Sequence, residues 1–280
     1  MVQLKSIRTV DLEESNKFDV ACEGVGNFVK SHALHVMCEE NYADLVTSYD
    51  RVRKDFVIGS GMDGERGNRI LNTLNRHLMN YLASWRSLVD HHKTRYTKLE
   101  RRGVRYLERF NALREEIETA SFYYRFFDKL RNYVQHCGLP LDVLEAREWP
   151  DESGVLVPYI AVSFHRDTLL MKYSGWEDVK RELELQPEML ELGETVALFR
   201  EQVIRFVDAC MTFEIEIVRE YRQQLDLLAA EVESKMPGAV AMISETIGMT
   251  REKTLLPSRL VPIDDLKLIV ILEHKGSAVM

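Results

Sequence analysis

Apolar residues recur three and four positions apart over most of this chain, the period of helices that bury one face. Between Ser31 and Phe56 the positions Leu34, Cys38, Tyr42, Leu45 and Tyr49 keep that spacing, and Ser31 is available as an N-cap. Ile70, Leu74, Leu78, Tyr81, Trp85, Leu88 and Val89 form the stripe of a long helix over residues 65–99. After a turn near Gly103, Tyr106, Phe110, Leu113 and Ile117 predict a helix over 104–120. Tyr123, Phe126, Phe127, Leu130, Tyr133 and Val134 predict another over 122–137. Gly138 and Pro140 stop it, the first by supplying a left-handed residue and the second by being unable to continue a helix. A short helix is expected over 176–185 and a very long one over 194–235. The long one carries Phe199, Val203, Phe206, Cys210, Phe213 and Ile217, then looser positions at Tyr221, Leu225, Leu228 and Val232. That pattern reads as a core stripe on a packed helix rather than a coiled-coil seam.

Three stretches break the helical period. Residues 1–30 contain Gly24 and Gly26 without clear periodicity and read as an irregular arm with room for one short strand. Residues 155–164 and 168–172 read as two short strands joined near His165-Arg166-Asp167, with Pro158 favouring a sheet edge. Residues 266–272 are β-branched and suggest a further strand. The glycine-rich turn Gly59-Ser60-Gly61-Met62-Asp63-Gly64 lacks a following Lys-Ser or Lys-Thr, and no strand leads into it, so neither a phosphate loop nor a dinucleotide fingerprint is expected. The pattern therefore predicts a mainly α protein: a helical bundle with an N-terminal arm over 1–145, then a small β-hairpin insert and a long C-terminal helix over 146–280 that pack on the bundle.

Composition narrows the class. The 280 residues are 45% hydrophobic and 29% charged, enough for a real core. No apolar run approaches the ~20 residues of a membrane span, and Met1-Val2-Gln3-Leu4-Lys5 does not open a signal peptide. Cys22, Cys38, Cys137 and Cys210 have no CxxC spacing and read as free thiols of a reducing compartment, so a cytoplasmic protein without membrane contact is expected.

The net charge of −8 excludes a protein that coats nucleic acid with its whole surface. The window 91–114 nevertheless carries +6, leaving −14 for the rest of the chain. Its Lys93, Arg95, Lys98, Arg101, Arg102 and Arg105 are candidate nucleic-acid-binding residues, followed by Arg109 and Arg114. The plainer alternative is a solvated helix face.

The chemically informative segment is Arg131-Asn132-Tyr133-Val134-Gln135-His136, an R-N-x3-H pattern at the end of an aromatic-rich helix. The C-terminal end of a helix favours a charged imidazole, and a histidine there can act as general acid or base. Arginine can hold a phosphate oxygen and stabilise developing negative charge. Asn132 can orient either the imidazole or the substrate. Together they suit metal-independent attack of an RNA 2′-hydroxyl on its neighbouring phosphate. At about 100° per residue, Asn132 and His136 share a face while Arg131 is turned away from His136 by about 140°. Convergence then needs an unwound last turn or a second copy of the chain. The spacing alone is common: Arg86 and His91 repeat it. In the plainer alternative, Arg131 pairs with a carboxylate and His136 caps its own helix.

The hexapeptide, on the last helix of a bundle and preceded by a long helix, resembles the HEPN superfamily. The surrounding Phe122–Pro140 segment also looks like uncharacterised bacterial proteins of that type. The resemblance covers roughly residues 30–145. It implies a helical bundle that forms a homodimer and cuts RNA, with two facing motifs, Arg131 and His136 as catalytic residues, Asn132 in support and no cofactor. It also implies a toxin or antiviral-defence effector, with an antitoxin or regulatory protein as a further partner. Some members add a polar residue from an earlier helix, for which Asn75, Asn80 and Asp90 are options. Others are inactive, so a second class is a non-catalytic dimerisation or sensor scaffold that binds a protein or nucleotide. No metal site is expected. His91 and His92 are adjacent and diverge on a helix, and the His32, His35, Cys38, Glu39 and Glu40 group reads as a helix face.

Overall fold

A computed structural model describes residues 11–54, 64–150, 154, 156–235, 242–243 and 259–260. The glycine-rich turn before Gly64 and the strand expected at 266–272 lie outside them. The fold is mainly α. Its helices are α1 (Leu12–Lys54), α2 (Gly64–Glu100), α3 (Leu107–Ala120), α4 (Phe122–His136), α5 (Arg166–Lys172), α6 (Lys180–Glu184) and α7 (Leu192–Lys235). A 3-10 turn, Glu177–Val179, precedes α6. Strands β1 (Leu141–Pro150), β2 (Leu156–His165) and β3 (Met189–Glu191) form an antiparallel sheet in the order β1-β2-β3. Two residue pairs, β4 (Met242–Ile243) and β5 (Arg259–Leu260), form a second small ladder. Contacts divide the chain into two compact units, residues 34–209 and residues 1–33 with 210–280.

Within the 34–209 unit, α3 and α4 run in succession back along α2. Tyr96 meets Phe110, Trp85 meets Tyr124, and Asn75 meets Leu141. The reversal at the end of α2 is a Schellman turn. Val104 N–H donates to Leu99 C=O and Gly103 N–H to Glu100 C=O, with Gly103 at φ 86°. Ser121 caps α4 by accepting from Tyr124 N–H, and Gly138, at φ 115°, follows the C-cap Cys137. The core is aromatic. Phe199 of α7 stacks on Phe127 at 4.4 Å and lies edge-on to Tyr81 and Trp85. Tyr49 of α1 donates to Glu191, and Arg200 of α7 pairs with Glu39 of α1.

The sheet corrects the expected hairpin. β2 pairs with β1, which the sequence reading missed, and residues 168–172 are helical. A register shift between Leu141 and Val143 breaks β1's period-two pattern. The His165 ring accepts the Thr168 N–H at 3.1 Å, so the short apolar run after it opens as helix α5. β3 pairs with Ser163–His165, so among the described residues Pro158 falls where β2 has a neighbour on one side alone.

From Leu12 onward the expected N-terminal arm is helix. In the other unit, Phe18, Ala21, Val25 and Phe28 of α1 bury against Val218, Leu225 and Val232 of α7. Both sets follow a heptad-like spacing. Ser31 caps nothing: it lies inside α1 and its hydroxyl donates to Asn27 C=O at 3.1 Å.

Gly24 is where α1 meets Tyr221. A Cβ there would collide with the ring, including Cγ at 2.7 Å, whereas a Cβ on Gly26 meets nothing within 4 Å. Alanine is worth about 1 kcal/mol over glycine in a helix, and overpacking costs about 1–3 kcal/mol. Gly26→Ala should therefore raise the chemical-denaturation midpoint and Gly24→Ala should lower it. Equal shifts of one sign would contradict this close approach.

Candidate functional site

The motif sits on a helix that is fixed on its inner side and open on its outer side. Phe126, Phe127, Leu130 and Tyr133 are buried. Tyr133 stacks on Trp176 and meets Tyr173 edge-on, and Cys137 Sγ reaches Lys172 C=O at 3.1 Å. These contacts hold the last turn of α4 against the segment after α5. The turn is closed, with Cys137 N–H donating to Tyr133 C=O at 2.7 Å. It does not unwind, so Arg131 and His136 of one chain keep their divergence of about 140°.

On the outer face, the N-terminal half of α4 is occupied by ion pairs. Arg125 grips both carboxylate oxygens of Glu182 at 2.7 Å, and Lys129 pairs with Glu177. The cleft here is lined by Glu115, Glu118, Asp128, Glu177, Asp178 and Glu182 against only Arg125 and Lys129. Six carboxylates against two cations repel phosphate, so this cleft is not an RNA path. The C-terminal half of the same face is different. His136 and Gln135 are exposed and Asn132 is partly exposed.

Arg131 is half-buried, and among the described residues its one side-chain hydrogen bond is a long contact of 3.4 Å to Asn132 Oδ1. Among the described residues it pairs with no carboxylate, and His136 makes no capping bond. The decoy at Arg86 differs: its guanidinium binds Asp90 at 2.9 Å and Asp128 at 3.2 Å.

Of the accessory options, Asn75 is consumed. It is buried, and its side-chain amide both donates to Leu141 C=O and accepts from Leu141 N–H, which fixes the start of β1. Asp90 is held by Arg86, and Asn80 is exposed.

The basic window does not adjoin the motif. Lys93, Lys98, Arg101, Arg102 and Arg105 are exposed around the α2–α3 turn. Arg95 is a correction: at 8% exposure it faces inward and does not offer its guanidinium to a surface ligand. Because α4 runs back along α2, the turn and His136 lie at opposite ends, about 30 Å apart at 1.5 Å rise per residue.

Two buried features of this unit escaped the sequence reading. His35 and His92 share a hydrogen bond between their Nε2 atoms at 2.9 Å, so one ring donates and the other accepts. Nothing in the spacing of positions 35 and 92 signals that contact. Burial pushes the Cys38 thiol up to about 11 and raises the Tyr81 and Tyr124 hydroxyls further, which keeps these groups neutral in the core. Among the described residues no three His, Cys, Asp or Glu side chains gather as a metal site, and no helix is long and apolar enough to cross a membrane. No protein-family model, curated protein or solved structure matches the chain.

Proposed function

We propose that the protein is a metal-independent endoribonuclease of HEPN type that works as a homodimer. The observation that carries this reading is the state of two side chains. Arg131 has no carboxylate partner among the described residues, and His136 caps nothing, so neither has the structural role that would otherwise account for it. An arginine left without a counter-ion and an exposed histidine near the same helix end suit a phosphodiester.

On this reading the roles are shared between two chains, since the intact helix keeps Arg131 and His136 of one chain apart. His136 of one copy removes the proton from the RNA 2′-hydroxyl, and that oxygen attacks the adjacent phosphorus. Arg131 of the other copy neutralises the charge that builds on the phosphoryl oxygens, with Asn132 orienting the guanidinium. The bond from phosphorus to the 5′-oxygen breaks, and that oxygen takes a proton from water, the hydroxide left behind recovering the proton that His136 had removed. The products are a 2′,3′-cyclic phosphate and a 5′-hydroxyl. In the cytoplasm such an enzyme would serve as a toxin or antiviral-defence effector, restrained by an antitoxin or regulatory protein.

Purified protein should cut single-stranded RNA with EDTA present and leave those two kinds of end. RNA that stays whole, or cleavage that EDTA abolishes, contradicts the reading.

A further inference from the structure

Many of the described basic side chains have an acid beside them. Lys17, Arg69, Arg114, Arg125, Lys129, Arg200, Arg205 and Arg222 all form ion pairs. The turn between α2 and α3 gathers several that do not. Lys93, Lys98, Arg101 and Arg105 are exposed and, among the described residues, pair with no carboxylate.

Helix stability explains only part of this cluster. Lys98 and Arg101 sit at the C-terminal end of α2, where cations complement the helix dipole. Arg105 is at the opposite kind of end. It immediately precedes the N-terminus of α3, whose N-cap Tyr106 makes no side-chain capping bond, and Glu108 is the one acid in its first turn. Free backbone N–H groups already make that end positive, so a cation there is unfavourable unless an anion joins it. The same turn thus collects unpaired cations from one helix and an uncapped positive terminus from the next, in a chain whose net charge is −8.

We propose that this turn is a docking site for the phosphate backbone of single-stranded RNA, separate from the motif on α4. It rests on the ribonuclease reading only in taking RNA as the polyanion. The separation of about 30 Å along α2 gives it a consequence for substrate length. At about 3.4 Å per phosphate in a stacked strand, and more in an extended one, an RNA that touches both the turn and His136 of one chain needs at most on the order of ten nucleotides.

The test is binding of a fluorescein-labelled 20-mer of 2′-O-methyl RNA, followed by anisotropy between low and moderate salt. This RNA has no 2′-hydroxyl to attack and stays whole whether or not the motif is active. The triple variant Lys98→Glu, Arg101→Glu, Arg105→Glu is compared with a charge-matched control, Lys180→Glu, Arg205→Glu, Lys235→Glu. Wild type should bind with a steep salt dependence. The turn variant should bind at least about tenfold more weakly, with a log–log salt slope reduced by about 2–3, and the control should lose far less. A 5-mer of the same chemistry should bind the wild type much more weakly than the 20-mer. Absence of binding at low salt, or equal losses in the two variants, overturns the proposal. Either outcome leaves cleavage by the motif to be judged on its own assay.

Discussion

His136→Ala should lower RNA cleavage by about 10²–10⁴-fold, the usual contribution of a positioned general acid–base, while leaving the fold intact. The two halves of that expectation come from one fact. His136 is exposed on the last turn of α4, so its imidazole supports no core contact. Surface truncations of this kind shift stability by less than about 0.5 kcal/mol. The helix itself is held by Tyr133, Trp176 and the Cys137–Lys172 contact, none of which involves position 136. Cleavage and thermal melting are therefore expected to separate: the first collapses and the second stays put. A variant that still cuts RNA at the wild-type rate removes His136 from the chemistry.

Phe199→Ala should have the opposite profile, with a large loss of stability in the 34–209 unit. Phe199 is fully buried and meets rings from two other helices: Tyr81 and Trp85 of α2, Tyr124 and Phe127 of α4. Removing a buried phenyl group costs about 3–5 kcal/mol, because the lost burial is joined by a cavity that the neighbours fill only in part. In a unit of this size that corresponds to a fall in Tm of roughly 10 °C. Leu227 is 74% exposed on the same helix, and Leu227→Ala should move Tm little. Similar melting for the two variants would contradict the placement of α7's inner stripe.

Helices whose stripe is apolar throughout were legible before the structure. On α2 the positions Leu74, Leu78, Tyr81, Trp85, Leu88 and Val89 are buried, as are Phe126, Phe127, Leu130 and Tyr133 on α4 and Phe199 to Ile217 of the α7 stripe, while Ile70, Tyr123 and Val134 are only partly so; Gly103 and Gly138 hold the left-handed turns that end two helices. What escaped the reading had specific physical causes. In α1 the inner face passes through two polar residues, Ser31 and His35, so one helix looked like an arm followed by a capped helix. Gly24 looked like a breaker but sits where Tyr221 leaves no room for a side chain. β1 hid its period behind a bulge, and residues 168–172 were too short for periodicity to decide.

The candidate site was legible in part. The hexapeptide lies on a helix end as its pattern implies, but the distance from His136 to the basic turn depends on α3 and α4 running back along α2. That is tertiary information. The inward turn of Arg95 and the use of Asn75 to hold Leu141 likewise follow from packing that residue identity does not encode.

The central claim is that Arg131 and His136 act together from different chains. It is tested most directly by co-expressing Arg131→Ala and His136→Ala chains with different tags, purifying the mixed dimer, and assaying RNA cleavage in EDTA. Each variant alone should be inactive. The mixed dimer pairs one intact Arg131 with one intact His136 across the interface, so it should recover about half of the wild-type rate. A mixed dimer as inactive as its parents would contradict the account.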